Sequence, residues 1–459
     1  MYDSPINRES DISFDENAFE NEENEDELLE IEKNSLLNNP IKSYFNISSN
    51  SVLSAVLNIC SSSFGAGFLS LPYCLESTGI INTFLVFIVI AGSVYYSLEL
   101  LRSFLVDTKY SSFSVMTETV LGKKWLIVYA ITIFMCYLSV NINYMNINYS
   151  IFRTIFSEDD DSEKYFFGVL YLLVTYAIEI FLCVYTRNTN KVHLISLVVV
   201  IIFFIFLIII IIGGIRGISS EKFESNKFFN PFDNKKSYEI FFEFIHTSIM
   251  FIYSLAYHST FPTFLGNVNT LNNKISKRIN RISFGIICIS YILISFFGYL
   301  YQKEVPQVLF LERMEDSKSF ITIFLQILIF IMLFSLIPLR YISIRDGYKC
   351  LIGEEKFNNK IDLIFTIVCL FIANVIVYVD AEAVREKNNN FNIFSVFSDI
   401  FGGFLGVIIC FLLPVINYAA INGKTKIKSI IGYIISGFYF IIGIISIYAS
   451  LSKSKEDGE

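Results

Sequence analysis

Charged residues are scarce in this 459-residue sequence, and the motifs of soluble enzymes are missing. Asp, Glu, Lys and Arg make up 17% of the chain, whereas soluble domains average about 25%. The eight cysteines include no Cys-x-x-Cys pair, so neither a zinc site nor a disulfide framework is readable. No nucleophile–base arrangement, metal-ligand cluster or phosphate-binding loop stands out. We therefore expect no enzymatic activity, no metal, no cofactor and no nucleic-acid partner.

Apolar residues take the place of the missing charges. Hydrophobic residues make up 54% of the sequence, and its mean hydropathy is +0.55. Apolar segments of about 20 residues are long enough to cross a bilayer as helices. Eleven such segments are Val52–Leu75, Ile80–Phe104, Trp125–Phe152, Tyr165–Tyr185, Leu194–Gly214, Ile240–Phe264, Ile282–Tyr301, Phe320–Ile342, Ile361–Tyr378, Ile393–Ala420 and Ile430–Leu451. The pattern predicts an all-α polytopic membrane protein with eleven transmembrane helices.

The N-terminal region differs in composition from the rest of the chain. Acidic residues are dense from Asp11 to Glu32 and aromatic residues are few, so this region cannot bury enough apolar surface to fold by itself. We predict a disordered acidic tail over residues 1–49, without a cleavable signal peptide. We predict that the tail is followed by a transmembrane domain over residues 50–452 and by a short C-terminal tail over residues 453–459.

Two sequence features concern the location of the protein. Glu32, Leu36 and Leu37 fit the acidic-dileucine spacing that endosomal sorting adaptors read, although short patterns also arise by chance. Basic residues, with Arg340 counted among them, are more numerous in the loops on the side of the N-terminal tail, and cytoplasmic loops carry the excess of Lys and Arg. We expect a cytoplasmic N-terminus and an integral protein of the plasma membrane or of a vacuolar or endolysosomal membrane, in contact with lipid.

The first apolar segment is unusual for a helix in hydrocarbon, because a run of serine and glycine precedes Pro72. Unwound backbone is tolerated at membrane depth where it lines a cavity, and free N–H groups at a half-helix start bind carboxylates in many transporters. The alternative is that the small residues only let two helices pack closely. The substrate-binding candidates are Ser61, Ser62, Ser63, Phe64, Gly65, Ala66 and Gly67. We expect a side chain at Gly67 to block the carboxylate while leaving the fold intact.

The sixth segment carries a second polar interruption, Tyr257 to Thr260, just before Pro262. Tyr257, Ser259 and Thr260 are further substrate-binding candidates. His258 is a candidate for ion coupling, because an imidazole in a membrane helix often takes part in a proton path. The alternative is that a backbone carbonyl holds this ring, which then adds only rigidity.

The two interrupted segments lie five apart in the order of segments. Broken helices in corresponding positions of two halves indicate an inverted repeat with a binding site between the halves. The correspondence predicts one repeat over about residues 50–215, a second over about residues 238–420, and an additional eleventh helix over about residues 430–451.

Other polar residues also fall at membrane depth. Tyr144 shares one helix face with Asn141 and Asn148 in the third segment, and these side chains must point into a cavity or towards neighbouring helices. We therefore add Tyr144 to the substrate-binding candidates. Glu99 and Glu179 are the acidic residues nearest to membrane depth, and each is a candidate proton carrier. The alternative is that each reaches water at the cytoplasmic end of its helix.

The order of these motifs resembles one known family. The motifs are Ser51–Asn58, Gly65–Tyr73 and Gly79-Ile80 in the first segment, Tyr257-His258 and Phe261-Pro262 in the sixth, Ile337–Arg340 in the eighth, and Ile400–Gly403 and Leu413-Pro414 in the tenth. From Ser51 to about Leu451 the chain resembles the amino acid/auxin permease family. That family includes the sodium-coupled neutral and the vacuolar amino acid transporters.

The resemblance implies a five-plus-five inverted repeat of the leucine-transporter type with one extra helix, and a substrate carboxylate near Ala66 and Gly67. The chain departs from the sodium-coupled members at two places. Ser61 stands where they have Asn, and their hydroxyl position in the eighth helix falls on the apolar run Phe330–Leu333, with Ser335 displaced. A sodium site needs several oxygens, so we expect proton coupling or exchange. Asn58 and Ser335 are the remaining ion-coupling candidates.

Functions of different classes remain open at this point. The first is a secondary active transporter that moves amino acids, neutral ones in the first place, by alternating access. The alternative is an amino-acid sensor or scaffold that binds the substrate and signals through its acidic tail. A channel is disfavoured because the sequence has no ring of charges and no repeated filter motif.

Overall fold

The computed structural model describes residues 51–108, 112–156, 161–187, 191–218, 231–232, 235–268, 271–301, 320–353, 355–387 and 403–456. The predicted tail over residues 1–49, with Glu32, Leu36 and Leu37, lies outside the described residues. The last three residues of the chain lie outside them as well.

Helices make up nearly all of the described chain. The first half contains α1 (Val52–Ser63), a 3-10 helix (Ala66–Ser70), α2 (Leu71–Thr78), α3 (Ile80–Thr108), α4 (Phe113–Leu121), α5 (Lys123–Phe156), α6 (Asp161–Tyr185) and α7 (Val192–Ile218). The second half contains α8 (Ser237–Ser254), α9 (Phe261–Gly266), α10 (Asn273–Tyr301), α11 (Phe320–Ile352), α12 (Asn359–Lys387), a π-helical turn (Ile408–Leu412), α13 (Leu413–Asn422) and α14 (Ile427–Glu456). The predicted all-α class is confirmed.

Eight helices in the described part of the chain are long and apolar enough to cross a membrane. A ninth crossing results if α1 and the bent helix that follows it, Ala66–Thr78, form one span. The apolar part of α6, Leu170–Tyr185, is shorter. The protein is therefore an integral membrane protein, and the total of eleven transmembrane helices stays a prediction.

Large apolar side chains cover the outside of these helices. Ile88 of α3, Phe181 of α6 and Ile441 of α14 are 64%, 66% and 60% exposed. Such surfaces are unfavourable in water, because the transfer of apolar surface from water into an apolar environment lowers the free energy. Lipid tails are apolar, and the helices already satisfy their own backbone groups. The exposed faces are therefore suited to contact with lipid tails.

One short helix, α4, is absent from the sequence predictions. It begins at Phe113, where the Oγ of Ser112 accepts a hydrogen bond from the amide of Val115 (3.3 Å), and it ends at Leu121, before Gly122, whose φ of 86° suits glycine. The prediction missed α4 because it considered only apolar segments long enough to cross a bilayer. The Ser and Gly caps were the available signal.

Several helices extend past the apolar segments that predicted them. α10 begins at Asn273 instead of Ile282, α11 ends at Ile352 instead of Ile342, and α14 ends at Glu456, inside the predicted C-terminal tail. The reason is physical, since apolar runs mark the part of a helix that lies in hydrocarbon and not its polar ends.

A buried ionic cluster joins the ends of three helices. Asp362 of α12 is 1% exposed and accepts hydrogen bonds from Arg187, from Tyr348 and from the Nε of Arg345 (3.1 Å). The Nη2 of Arg345 also donates to the carbonyl of Cys183 in α6 (2.7 Å). Because its charges are paired, this cluster fixes α6, α11 and α12 to one another.

Candidate functional site

The first apolar segment is interrupted inside the protein, just after its serine run. α1 ends at Ser63, Phe64 and Gly65 are not helical, and the next helix begins at Ala66 at an angle of 51°. The first backbone hydrogen bond recorded for that helix runs from the amide of Phe68 to the carbonyl of Gly65 (3.3 Å). The N–H groups of Ala66 and Gly67 precede this bond, and N–H groups at the start of a helix lack acceptors within it.

The predicted break is confirmed, but it is narrower than the predicted stretch from Ser61 to Gly67. Ser61 and Ser62 lie in α1, and their hydroxyls donate to the carbonyls of Asn58 (3.0 Å) and Ile59 (2.8 Å). A serine can bond to its own helix in this way, so the serine run by itself does not unwind the chain. The unwound part is limited to Phe64 and Gly65.

The sixth segment is interrupted as predicted. α8 ends at Ser254 and α9 begins at Phe261. Between them the backbone makes short-range turns, with the amide of Tyr257 donating to the carbonyl of Leu255 (3.1 Å) and the amide of Thr260 donating to that of Tyr257 (3.2 Å). The two predicted interruptions are therefore present in the structure.

One tyrosine connects the two interruptions. The hydroxyl of Tyr291 in α10 lies 2.6 Å from the carbonyl oxygen of Ser63 and 3.0 Å from that of Ser254. The hydroxyl of Ser63 is 3.0 Å from the Tyr291 oxygen and 3.3 Å from the Ser254 carbonyl oxygen. The last carbonyls of α1 and α8 are thus satisfied by the same side chains, which hold the two breaks side by side.

A cavity of about 60 Å³ lies where the two interruptions face α5 and α11. Its wall consists of Ser63, Gly65, Ala66, Gly67, Ile133, Cys136, Tyr137, Val140, Tyr144, Tyr253, Ser254, Ala256, Ser259, Arg340, Gly406, Ile409 and Cys410. This volume holds about four to six water-sized groups. The π-helical turn carries part of the wall, and the carbonyl of Cys410 accepts a hydrogen bond from Ser97 of α3. Such turns occur frequently at functional sites.

Two glycines allow close approach at the first break. A Cβ on Gly65 would stand 2.4 Å from the hydroxyl oxygen of Tyr144 and 3.4 Å from Nη2 of Arg340. A Cβ on Gly67 would stand 2.9 Å from the Cα of Ser254. Gly65 therefore keeps the cavity open, whereas Gly67 lets the two interrupted segments touch. The expectation that a side chain at Gly67 would block only the carboxylate needs correction, because it would also push α8 away.

Arg340 brings a positive charge to the cavity wall. Its Nη1 donates to the carbonyl of Ala256 in the second break (2.8 Å), and its buried Nε makes no hydrogen bond within the described residues. Tyr144 is 1% exposed, and its hydroxyl lies beside Arg340 and the backbone of Ala66. The wall therefore combines one guanidinium with hydroxyl groups and with the start of a helix.

Six of the eleven predicted substrate-binding residues lie on the cavity wall: Ser63, Gly65, Ala66, Gly67, Tyr144 and Ser259. The other five do not line it: Ser61, Ser62, Phe64, Tyr257 and Thr260. Phe64 points towards α7 instead, where its ring stacks on Phe203 at a centroid distance of 3.6 Å. The hydroxyl of Thr260 donates to the carbonyl of Tyr257 (3.0 Å).

Three of the predicted ion-coupling residues have local partners away from the cavity. Glu99 pairs with Arg102 (2.6 Å) on the same helix. The hydroxyl of Ser335 donates to the carbonyl of Ile331 (2.8 Å) on the outside of α11. Asn58 is buried in α1, and its carbonyl accepts the Ser61 hydroxyl. None of these residues lines the cavity.

Glu179 and His258 are the two fully buried ion-coupling candidates. Glu179 of α6 accepts a hydrogen bond from Nδ2 of Asn374 in α12 (3.0 Å), and its other carboxyl oxygen has no partner within the described residues. His258 is buried beside Val94 of α3. Neither of these two residues lines the cavity.

The sequence predictions missed Arg340 as a site residue. The charge count places it among the loop cations although its motif lies in the eighth apolar segment, and in the structure it lies inside α11, which continues to Ile352. The available signal was the arginine itself, since a charged residue inside a membrane helix marks a functional position. Tyr253 and Tyr137 were also missed, because aromatic side chains do not stand out among so many others.

Comparison with known proteins identifies the family. The sequence profile of the transmembrane amino acid transporter proteins matches residues 48–454, which is most of the chain. The chain belongs to this family. It is accordingly a secondary transporter and not an enzyme, and the resemblance stated from the motifs is confirmed. No match was found among curated proteins.

Solved structures with the same fold differ widely in sequence from this transporter. MhsT in complex with L-phenylalanine has a TM-score of 0.53 and 11% identity, covering 87% of this chain and 98% of its own. A Na⁺-coupled sialic acid symporter has a TM-score of 0.54 and 13% identity, with coverage of 88% and 89%. A mutant of the Eremococcus coleocola manganese transporter has a TM-score of 0.58 and 11% identity, with coverage of 88% and 89%. All three have the leucine-transporter fold, and their different ligands show that this fold does not determine the substrate.

Proposed function

We propose that this transporter carries amino acids across its membrane by alternating access. The observation that carries the proposal is the cavity between the two interruptions, with the N–H groups of Ala66 and Gly67 at its wall. A helix start favours a negative group through its free N–H groups and its dipole. The α-carboxylate of an amino acid supplies that group, and nearby hydroxyl and carbonyl oxygens accept from the ammonium group.

The size of the cavity favours small amino acids. A volume of about 60 Å³ holds about four to six water-sized groups, which suits glycine, alanine and serine better than an aromatic amino acid. The wall carries no acidic side chain within the described residues, so it offers no partner for a cationic side chain. We therefore propose small neutral amino acids as substrates.

The coupling ion that we propose is a proton, with exchange as the other mode. A sodium ion needs several converging oxygens, but the hydroxyls of Ser61 and Ser335 donate to carbonyls of their own helices. The apolar residues Phe330 and Leu333 give no oxygen ligand there. Glu179 is the proton carrier we propose first, because its carboxyl group is buried without a cationic partner within the described residues.

Measured uptake tests this proposal directly. The full-length protein is reconstituted in proteoliposomes, and radiolabelled uptake of each of the twenty amino acids is measured with and without pH and sodium gradients. We expect uptake of small neutral amino acids that increases at acidic outer or luminal pH and does not change when choline replaces sodium. Strict sodium dependence would contradict the ion assignment.

The same experiment separates transport from sensing. Binding of an amino acid without uptake would support the sensor or scaffold. Deletion of residues 1–49 should leave transport intact, whereas a sensor would lose recruitment of its partner. We also propose that the N-terminus is cytoplasmic and that the membrane is the plasma membrane or a vacuolar or endolysosomal one, from the charge of the loops.

A further inference from the structure

Arg340 is the one charged residue on the cavity wall within the described part of the chain. None of the ion pairs among the described residues includes it. Its Nη1 donates a hydrogen bond to the carbonyl of Ala256, while its buried Nε has no hydrogen-bond partner within the described residues. Arg340 is half-buried, and a charge partly withdrawn from water is costly unless it is paired, so an unpaired cation at a ligand cavity indicates an anionic group on the ligand.

The guanidinium lies next to the start of the second half-helix. Its Nη2 is 3.4 Å from the point where a Cβ on Gly65 would stand, and Gly65 directly precedes the N–H groups of Ala66 and Gly67. A carboxylate has two oxygens, so it can accept from these amides with one oxygen and from the guanidinium with the other. No hydrogen bond in the described structure joins Arg340 to the first segment.

We propose that Arg340 binds the α-carboxylate of the transported amino acid and balances its charge in the cavity; this inference rests on the function proposed above. The bound carboxylate then connects α11 to the first interruption, two elements that Arg340 does not join by itself. The protein supplies the balancing charge, so substrate binding needs no accompanying metal cation. The competing role for Arg340 is only to hold the carbonyl of Ala256.

The first test uses the wild-type protein alone. Full-length transporter in proteoliposomes loaded with L-alanine exchanges internal for external radiolabelled L-alanine, which needs no ion gradient. Unlabelled L-alanine and L-alaninamide, which has the same shape but no carboxylate, are compared as competitors. We expect alaninamide to compete at least tenfold more weakly, because one charge-assisted interaction is lost. Equal competition would overturn the inference without any variant.

The second test uses variants of two arginines on the same helix. Arg340→Gln removes the charge, and Arg340→Lys keeps it without the planar fork. Arg345→Lys is the control on the same helix, because Arg345 does not line the cavity and lysine keeps the charge that pairs with Asp362. We expect the KM for alanine exchange to rise about 10- to 100-fold in Arg340→Gln, less in Arg340→Lys, and to stay within about twofold in the control.

The preference of each variant for alanine over alaninamide shows whether Arg340 binds the substrate carboxylate or only holds the carbonyl of Ala256. In Arg340→Gln the preference for alanine over alaninamide should shrink several-fold, since the guanidinium is gone and only the N–H groups of Ala66 and Gly67 still favour a carboxylate. If Arg340 only braced the Ala256 carbonyl, the variants would lose thermal stability and maximal rate but keep the wild-type discrimination, which would overturn the inference. Wild-type protein that exchanges no amino acid at all would instead overturn the proposed function.

Discussion

Replacing Gly65 by alanine adds one methyl group at the wall of the cavity. The φ and ψ angles of Gly65 are −94° and −175°, an extended conformation that alanine adopts without strain. The effect is therefore steric. The new Cβ would stand 2.4 Å from the hydroxyl oxygen of Tyr144, about 1 Å closer than an ordinary van der Waals contact of about 3.5 Å.

The contact cannot be relieved without moving the Tyr144 ring. Tyr144 is 1% exposed and packed among other side chains, so its hydroxyl must shift within a cavity of only about 60 Å³. Overpacking of this kind costs about 1–3 kcal/mol. We expect amino acid uptake to fall at least tenfold, while the protein still reaches the membrane.

Uptake into proteoliposomes, normalised to reconstituted protein, measures this effect. Gly92→Ala is the matched control, because Gly92 lies in α3 with nothing within 4 Å of its Cβ position; its uptake should equal that of the wild type. A thermal unfolding scan in detergent shows whether Gly65→Ala remains folded. Wild-type KM and rate in Gly65→Ala would refute the placement of the substrate at this break.

Three further substitutions test other parts of the site. Gly67→Val should reduce folded protein as well as uptake, because its Cβ would stand 2.9 Å from the Cα of Ser254; normal surface expression would contradict this. Tyr291→Phe should lower the free energy of unfolding by about 0.5–1.5 kcal/mol, since the shared donor is lost while the Ser63 carbonyl keeps the Gly65 amide and the Ser254 carbonyl keeps the Ser63 hydroxyl; an unchanged unfolding temperature would argue against that link. Glu179→Gln should abolish the stimulation of uptake by acidic outer or luminal pH while exchange persists, and a wild-type pH profile would exclude Glu179 as the proton carrier.

Much of the fold could be predicted because the membrane imposes simple rules on the sequence. A helix in hydrocarbon must be apolar over about 20 residues, so the long helices stand out as runs of Ile, Phe, Leu and Val. Interruptions stand out for the same reason, and both predicted breaks are present in the structure. α4 and the polar ends of the helices did not stand out, because they lack the long apolar runs that a helix needs inside the hydrocarbon.

The cavity wall was predicted only in part, because serine and tyrosine are compatible with several environments. The hydroxyls of Ser61 and Ser62 bond to their own helix, whereas that of Ser63 reaches the second break. Consecutive residues on a helix point about 100° apart, so which serine faces the cavity depends on the position of the neighbouring helices. Tyr257 and Ser259 lie in the turns between α8 and α9, and their backbone geometry decides that Ser259 lines the cavity and Tyr257 does not.

The sequence by itself determined the class of the protein, the approximate positions of its membrane helices and the two places where these helices break. These properties depend on composition along short stretches of chain, so they can be predicted without knowing how the helices pack. Only the tertiary structure decided that the two breaks lie side by side, joined by the hydroxyl of Tyr291, and that Arg340 of α11 reaches the cavity between them. Such contacts join residues on different helices, 37 to 228 positions apart in the Tyr291 links, so they exist only once the helices have packed.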